Sequence, residues 1–495
     1  MMQKIGFDKD LYISRQKEEI RKRIEHFDNK LYLEFGGKLF DDFHAMRVLP
    51  GFESNAKIKL LQEFKDEAEI IFAINADDIG ANKLRADIGI TYDMDLLRLM
   101  DNIRKMGLLV SSVVITQYKN QPAADSFRTM LENRGVKTYL HYPIDGYPAN
   151  IDKVVSDEGY GINDYVPTTR PLVVVTAPGP CSGKMATCLS QLYHEYKQGK
   201  KSGYAKFETF PIWNIPLKHP VNLAYEAATA DLHDVNMIDP FHLEKYGVST
   251  VNYNRDIEVF PIVQTILKKI TGEETYYSPT DMGVNMAGYG ITDDEIVKDA
   301  AKQEIIRRYY RAECDLLLGR TDAETVARLK SIMTQLNIKP EDRIAADAAL
   351  QKFNRKNSPA MAIRLPDGMI MTGKGSETMT PASSCIINSI KYLANISEEI
   401  HLISPVILEP LKALKKDVLG MKKLVLNLEE VLNAISICAA TNTMVELALS
   451  KLKELRGCEA HSSHMLSSAD ENTLRRLGIN ITSEARFPND DLFYM

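Results

Sequence analysis

The residues best suited to chemistry lie in one loop between a predicted strand and a predicted helix. Residues 173–196 read VVVTAPGPCSGKMATCLSQLYHEY, so an apolar strand runs into a Gly/Pro turn and a Gly-Lys pair opens the helix. Free backbone N–H groups at the positive end of a helix bind anions, and a lysine adds charge. The spacing therefore predicts a phosphate-binding site formed by Gly179, Ser182, Gly183, Lys184 and Thr187.

The loop matches the nucleotide-binding pattern G-x-x-x-x-G-K-[ST] only in part. Pro178 stands where the first glycine is expected, and Met185 stands where a hydroxyl residue holds Mg²⁺. One interpretation is a phosphoryl-transfer enzyme that uses ATP or another nucleotide with Mg²⁺, in which Lys184 and the metal neutralise charge. The alternative is an ordinary strand–loop–helix connection with a solvated lysine.

The elements that position this loop alternate between apolar strands and amphipathic helices. We predict strands near 31–37, 68–78, 108–118, 137–144, 171–177 and 207–216, and helices near 10–29, 93–106 and 122–134. Near-continuous apolar strands separated by helices are typical of a parallel sheet with helices on both faces. Such sheets bind ligands at the carboxyl ends of their strands, where Asp77, Asp78 and Asp145 are also expected.

The remainder of the chain changes character twice. Thr292 and Thr321, each followed three residues later by Glu, predict helix N-caps in a mainly helical region. A hairpin turning at 366–368 and a strand at 401–404 indicate another α/β region. The predicted fold class is α/β, with an N-terminal doubly wound, P-loop-like parallel-sheet domain at 1–221, a mainly helical domain at 222–357 and a C-terminal α/β domain at 358–495.

Two further groups of residues are of types that could bind an anion or a metal ion. The loop from Gly373 to Gly375, before a helix that Thr380 is expected to cap, either binds an anion or is a plain connection. His461 and His464 lie on a predicted strand, where alternation sends them to opposite faces. Zinc needs converging ligands, so the sequence predicts no metal site there.

Composition and charge exclude several classes of protein. The 495 residues carry 61 Lys and Arg against 67 Asp and Glu, a net charge of −6, so no basic surplus indicates a nucleic-acid binder. The apolar run 108–115 is shorter than the ~20 residues of a membrane span, and the N-terminal residues turn charged at once. Six scattered cysteines without a CxxC pair indicate reduced thiols. These features predict a cytoplasmic protein with no nucleic-acid or membrane partner and leave a homo-oligomer open, and the loop at Gly179–Thr187 predicts a small-molecule phosphate ligand.

Long segments of the sequence resemble a known bacterial family. The strings at 140–199, 207–244, 251–258, 278–291 and 457–470 carry the resemblance over nearly the whole chain. They are similar to the proteins grouped as domain of unknown function 1846, the uncharacterised protein family 0371. The resemblance implies two α/β parts with a helical part between them. It also implies that the family carries glycine where this chain has Cys181. The Cys181 side chain would leave a phosphate less room to approach the loop. The resemblance carries no catalytic residue over to this chain.

The function predicted from these features is binding of a nucleotide or phosphorylated metabolite at the strand–loop–helix segment, with phosphoryl transfer as the reaction of an enzyme of this kind. An ATP-independent hydrolase or lyase acting on a phosphate-bearing small molecule at the domain junction is the alternative. A non-catalytic ligand-binding protein is a third class, because the sequence displays no clear acid–base pair.

Overall fold

Seven strands form one sheet in which every neighbouring pair is parallel. The structure, a computed structural model, describes residues 5–40, 42–85, 89–421 and 424–489. The strands of this part of the chain are β1 (Leu31–Phe35), β2 (Ala68–Asn75), β3 (Leu84–Arg85), β4 (Ile90–Thr91), β5 (Leu109–Thr116), β6 (Lys137–Leu140), β7 (Leu172–Thr176), β8 (Gly203–Phe207), β9 (Asn236–Ile238), β10 (Val251–Tyr253) and β11 (Gly283–Val284). The sheet order is β11-β8-β1-β7-β2-β5-β6, which confirms the predicted parallel sheet, while β3–β4 and β9–β10 are small antiparallel pairs.

Helices cover both faces of this sheet. They are α1 (Lys9–His26), α2 (Phe43–Val48), α3 (Ala56–Gln62), α4 (Ala76–Gly80), α5 (Tyr92–Lys105), α6 (Pro122–Asn133), α7 (Ile151–Val154), α8 (Lys184–Lys197), α9 (Pro220–Ala228), α10 (Pro240–Tyr246), α11 (Asn254–Thr271) and α12 (Pro279–Met282). Leu33 and Phe72 face a core completed by α1, α3, α5 and α6. Tyr32 and Val173 face a second core completed by α8 and α11. Consecutive residues of a strand point to opposite faces, so one apolar strand supplies both cores.

The polypeptide divides into two compact units. The first comprises Ile5–Glu226 and His233–Ala301 and contains the parallel sheet, and the second contains Ala227–Leu232 and the chain from Lys302 onwards. The three-part division at residues 221 and 357 stays a prediction.

The second unit has a four-stranded sheet of its own. Its order is β13-β12-β14-β15, and its core includes Met361, Ile386 and Ile435, all fully buried. The strands are β12 (Ala360–Arg364), β13 (Ile370–Lys374), β14 (Glu459–Ser462) and β15 (Asn480–Ser483), and the remaining helices of the chain are α13 (Asp294–Leu317), α14 (Ala323–Gln335), α15 (Ala346–Lys356), α16 (Pro381–Leu393), α17 (Pro405–Ala413), α18 (Leu428–Ala439), α19 (Thr443–Ser450) and α20 (Ser468–Arg476). The predicted hairpin is confirmed as β12–β13, and Thr380 caps α16 as expected.

Several boundaries differ from those predicted. The strand expected at 207–216 ends at Phe207, because the segment beyond it contains Pro211 and Pro216, which cannot donate ladder hydrogen bonds. The strand expected at 401–404 is absent from this described segment, where Ser404 instead caps α17. The two predicted caps each lie one residue early, because the carboxylates of Asp293 and Asp322 accept the helix N–H groups.

Each of the six cysteines is a free thiol. Among the residues that the structure describes, no helix combines the length and the apolar character that crossing a membrane requires.

Candidate functional site

The loop between β7 and α8 leaves the centre of the parallel sheet. β7 lies between β1 and β2. α8 packs on one face of the sheet, while α5, the helix that follows β2 after the short α4, packs on the other. Neighbouring strands whose connections diverge in this way leave a crevice at their carboxyl ends, where open α/β sheets bind ligands.

Two of the predicted glycines fix this loop against its neighbours. Gly183 has a φ of 84°, and a Cβ there would lie 2.9 Å from the Thr116 side chain at the end of β5. A Cβ on Gly179 would lie 2.4 Å from the ring of Tyr92 at the start of α5. The Thr116 hydroxyl donates a 2.9 Å hydrogen bond to the Ser182 carbonyl. The glycines therefore allow the loop to lie directly on β5 and α5.

Ser182, Thr187 and Lys184, the other residues of the predicted site, differ in whether their side chains are available to bind a ligand. The Ser182 hydroxyl donates to the Gly179 carbonyl at 2.8 Å, and the Thr187 hydroxyl donates to the Gly183 carbonyl at 3.0 Å. Both side chains are buried. Lys184 is half-buried and forms no ion pair with any residue in the described ranges. The backbone N–H groups of Gly183, Lys184, Met185 and Ala186 have no acceptor within those ranges.

Two further cations lie beside the loop, each with a carboxylate partner. Lys83 is 3.0 Å from Asp78, whose hydrogen bond raises the pKa of the lysine, and the thiol of Cys181 lies close enough to contribute. Arg255 is 2.6 Å from Asp234, and Cys181 lies close enough to Arg255 to interact with it electrostatically. Cys181 is exposed and has a φ of 58°, a conformation that glycine adopts without strain.

A group of charged residues lies at the carboxyl ends of β1 and β8, with Glu34 and Glu208 buried, and sequence reasoning missed it. Lys206 is 2.7 Å from Glu208 and 2.6 Å from Asp256, the latter in the first turn of α11. Glu34 accepts a 2.6 Å hydrogen bond from the Tyr204 hydroxyl. We call Glu34, Lys206, Glu208 and Asp256 the lysine–carboxylate cluster. Charged residues inside the apolar runs LYLEF and GYAKFE were the signal for it.

Electrostatics connect this cluster to the loop. Burial raises the pKa of the Cys188 thiol in α8, the charge of Glu34 raises it further, and Lys184 opposes them. Glu34 and Lys184 therefore both lie near Cys188. Burial also raises the pKa of Glu208 to about 7, with Lys206 opposing and Asp256 adding to the shift. The arrangement places the N-terminal end of α8 and a carboxyl group whose pKa burial raises to about 7 along one edge of the sheet.

Comparison with known proteins identifies the family. The model for "Domain of unknown function DUF1846, N-terminal" matches residues 5–337, and that for "Domain of unknown function DUF1846, C-terminal" matches residues 341–493. The chain belongs to the DUF1846 family. It is 57% identical to a UPF0371 protein of Clostridium tetani over 500 residues, 99% of each chain. A UPF0371 protein of Fusobacterium nucleatum is 55% identical over 99% of each chain, and one of Clostridioides difficile is 53% identical over 99% of this chain and all of its own. The resemblance seen in the sequence is confirmed.

The remaining candidate residues of this DUF1846 protein have structural partners. Asp77 accepts from Gln121 at 2.8 Å. Around the second glycine loop, the Gly375 N–H donates to the Pro359 carbonyl at 2.7 Å. His461 is fully buried, with its ring nitrogens 2.9 Å from the Thr482 hydroxyl and 3.2 Å from a Glu484 carboxylate oxygen. Across the described ranges, no three His, Cys, Asp or Glu side chains converge closely enough to hold a metal ion.

Proposed function

We propose that the protein binds a nucleotide or another phosphate-bearing metabolite at a P-loop-like segment, the loop between β7 and α8. One observation carries the proposal: Lys184, without an ion-pair partner in the described ranges, stands at the N-terminus of α8 beside N–H groups that have no acceptor there. This end of α8 lies at the switch point of a parallel sheet. Lys83 and Arg255 already have carboxylate partners, so Lys184 and the N–H groups are the main contacts for the ligand.

Binding without rapid hydrolysis of a nucleotide is the form of this function that the side chains favour. Phosphoryl transfer needs Mg²⁺ held near the phosphates. Met185 lacks a hydroxyl at the usual position, and the Thr187 hydroxyl already donates to the Gly183 carbonyl. A second candidate, an ATP-independent hydrolase or lyase acting on a phosphate-bearing small molecule, is favoured by the lysine–carboxylate cluster.

Ligand-dependent thermal stability tests the binding site. Wild-type protein is melted with ATP, GTP, sugar phosphates, pyrophosphate or inorganic phosphate, each with and without Mg²⁺. A ligand at 100 times its Kd adds about 2.7 kcal/mol to the unfolding free energy, which raises Tm by several degrees. Lys184→Ala should abolish most of this shift and leave the Tm of the free protein nearly unchanged, because Lys184 makes no ion pair with the described residues. Release of ADP or phosphate, measured in parallel, should be slow or absent.

The matched control is Lys201→Ala. Lys201 is exposed in the connection between α8 and β8, at the opposite edge of the sheet, so this variant removes the same charge without touching the loop. Its ligand-dependent shift should equal that of the wild type. A wild type that responds to no phosphate compound, or a shift that survives Lys184→Ala, would refute the proposed site.

A further inference from the structure

The lysine–carboxylate cluster contains more negative charge than a simple ion pair requires. Lys206 lies within 2.7 Å of Glu208 and 2.6 Å of Asp256, and the charge of Glu34 also acts on it. Several carboxylates that share one cation away from water repel one another, so one of them keeps its proton to a higher pH than usual. Glu208 is the more buried carboxyl of the pair that contacts Lys206, with 8% of its side chain exposed against 22% for Asp256. The proton therefore belongs mainly to Glu208.

The cluster is within reach of a small molecule held on the loop. β8 and β7 are separated only by β1, so two strand spacings of about 4.8 Å each lie between their carboxyl ends. A ligand whose phosphate rests on Lys184 therefore has to span about two strand spacings to place its other end over Glu208. Lys206 and Asp256 keep 19% and 22% of their side chains exposed, so the cluster is open on one side. Its position matches the edge at which such sheets bind ligands.

We propose that Glu208 is a general acid–base catalyst, and that Lys206 and Asp256 are positioning residues that set its protonation. The reaction is hydrolysis of a C–O bond in a small phosphate-bearing molecule whose phosphate rests on Lys184, so this proposal rests on the proposed function. A carboxyl group that changes its protonation near the operating pH is the most effective acid–base catalyst. The pKa of Glu208, raised by burial to about 7, agrees with this role.

The proton is accounted for in both halves of the reaction. Protonated Glu208 donates its proton to the oxygen of the leaving group as the C–O bond breaks, and the bonding electron pair stays on that oxygen. The resulting carboxylate is stabilised by the Lys206 ammonium at 2.7 Å. A water molecule then adds to the carbon and gives its proton to the Glu208 carboxylate, which restores the starting state. No oxidant, reductant or other co-reactant is needed.

The test separates binding from catalysis. Wild type and Glu208→Gln are offered a panel of sugar phosphates, phosphorylated glycosides and phosphate-bearing esters. Binding is followed by the shift in Tm and hydrolysis by mass spectrometry. Glu208→Gln should bind the same compounds as the wild type and hydrolyse them at least about 100-fold more slowly. Compounds that bind but are not hydrolysed by the wild type overturn the proposal and leave the proposed function standing. A panel that never binds overturns both.

The pH profile distinguishes a catalytic Glu208 from a structural one. The titratable and charged groups that face it are Lys206 on β8, Asp256 on α11 and Tyr225 on α9. In the wild type, kcat should fall as the pH rises through about 7, because the acid form is lost. Asp256→Asn removes a neighbouring negative charge and should move this fall to lower pH. The control Glu258→Gln removes an exposed charge from the same helix and should leave the profile unchanged.

The protonation of Glu208 is also measurable without a substrate. Infrared difference spectra of the wild type against Glu208→Gln should show a protonated carboxyl C=O band below about pH 7 that disappears above it. Absence of that band, or a pH profile that Asp256→Asn does not move, overturns the proposal. Both variants keep the shape of the side chain they replace, and unchanged circular dichroism confirms that they fold.

Discussion

His141 and Glu208 lie just beyond the carboxyl ends of parallel strands, and burial moves their pKa values in opposite directions. His141 follows β6, and burial lowers its pKa to about 4. Glu208 follows β8, and burial raises its pKa to about 7. Both shifts have one physical cause, because a buried group avoids its charged form, which is the protonated form of His and the deprotonated form of Glu. Folding therefore favours the neutral form of each residue.

The shift of His141 predicts a loss of stability in acid. Its folded pKa lies below its ordinary value of 6.5, so the unfolded chain binds the proton more readily. The contribution of His141 to the unfolding free energy is fully present above pH 6.5. It is lost as the pH falls towards 4, by about 3 kcal/mol in total. His141→Gln keeps an N–H that can reach the Asp164 carbonyl, now 3.1 Å from Nε2, but does not titrate. Its unfolding free energy, measured with urea, should fall much less over this interval.

His26 provides the control for this acid titration. It is exposed at the end of α1, so His26→Gln should lose as much stability in acid as the wild type does. If His141→Gln also lost as much, the acid sensitivity would come from other groups.

The sequence located the loop residues but not the lysine–carboxylate cluster beside them. Gly183 and Lys184 are recognisable because a dipeptide at the start of a helix is a local signal. Lys206 and Glu208 depend on the end of β8, which the apolar run to Pro216 placed several residues too late. Asp256 joins them from α11, and no local pattern predicts a contact over 50 residues.

At the scale of elements, the start of α8 is fixed by its contact with β5. Gly183 needs a left-handed backbone, and its missing side chain leaves room for Thr116. Gly199, just after α8, has a φ of 74° but no neighbouring atom within 4 Å of the position of a Cβ. Both glycines therefore adopt a left-handed backbone conformation, but only Gly183 lacks room for a side chain.

Alanine at each glycine should separate these two demands. Gly199→Ala is expected to cost about 1–2 kcal/mol of unfolding free energy, the cost of a left-handed conformation for an L-residue. Gly183→Ala should cost more, because its Cβ would lie 2.9 Å from the Thr116 side chain. It should also weaken phosphate-dependent thermal stabilisation, which Gly199→Ala should leave unchanged. Urea unfolding and ligand-dependent melting measure both effects, and equal costs for the two variants would contradict the role of the contact.

Strands buried on both faces were predictable, and elements defined by a distant partner were not. β2, β5 and β7 are apolar along most of their lengths because helices cover both sides of the sheet, so composition alone indicates them. β11 is two residues long and exists because it pairs with Lys206 and Phe207 of β8. A strand that short has no periodicity for the sequence to display.

At the scale of the molecule, the units do not follow the order of the chain. Ala227–Leu232 belongs to the second unit although the chain on either side of it belongs to the first. A 3.2 Å hydrogen bond from Arg328 on α14 to the Ala230 carbonyl shows why: this segment is held by a helix almost 100 residues further on. Dividing the chain where its composition changes assumes that each domain is continuous in sequence. That approach therefore cannot assign the short segment Ala227–Leu232 to a unit whose other described residues begin at Lys302. The family models likewise divide the chain once, between residues 337 and 341.

Separate hydrophobic cores predict that a cavity in one unit is felt mainly in that unit. Ile70 on β2 and Ile386 on α16 are both fully buried, each in a core made of residues from its own unit. Truncating either to Ala should cost about 2–5 kcal/mol, from lost burial and the cavity left behind. Native-state hydrogen exchange should become faster in β12, β14 and α16 for Ile386→Ala, and in β1, β2 and β7 for Ile70→Ala.

The two variants serve as controls for each other, because they remove the same atoms from equally buried positions. Exchange that accelerates equally in both sheets for either variant would show that the two cores open as one cooperative unit. Exchange that stays local would show that the parallel sheet, which carries the loop between β7 and α8 and the lysine–carboxylate cluster, stays folded when the second unit is weakened. In that case ligand-dependent melting of the Ile386→Ala protein should still show the stabilisation that depends on Lys184.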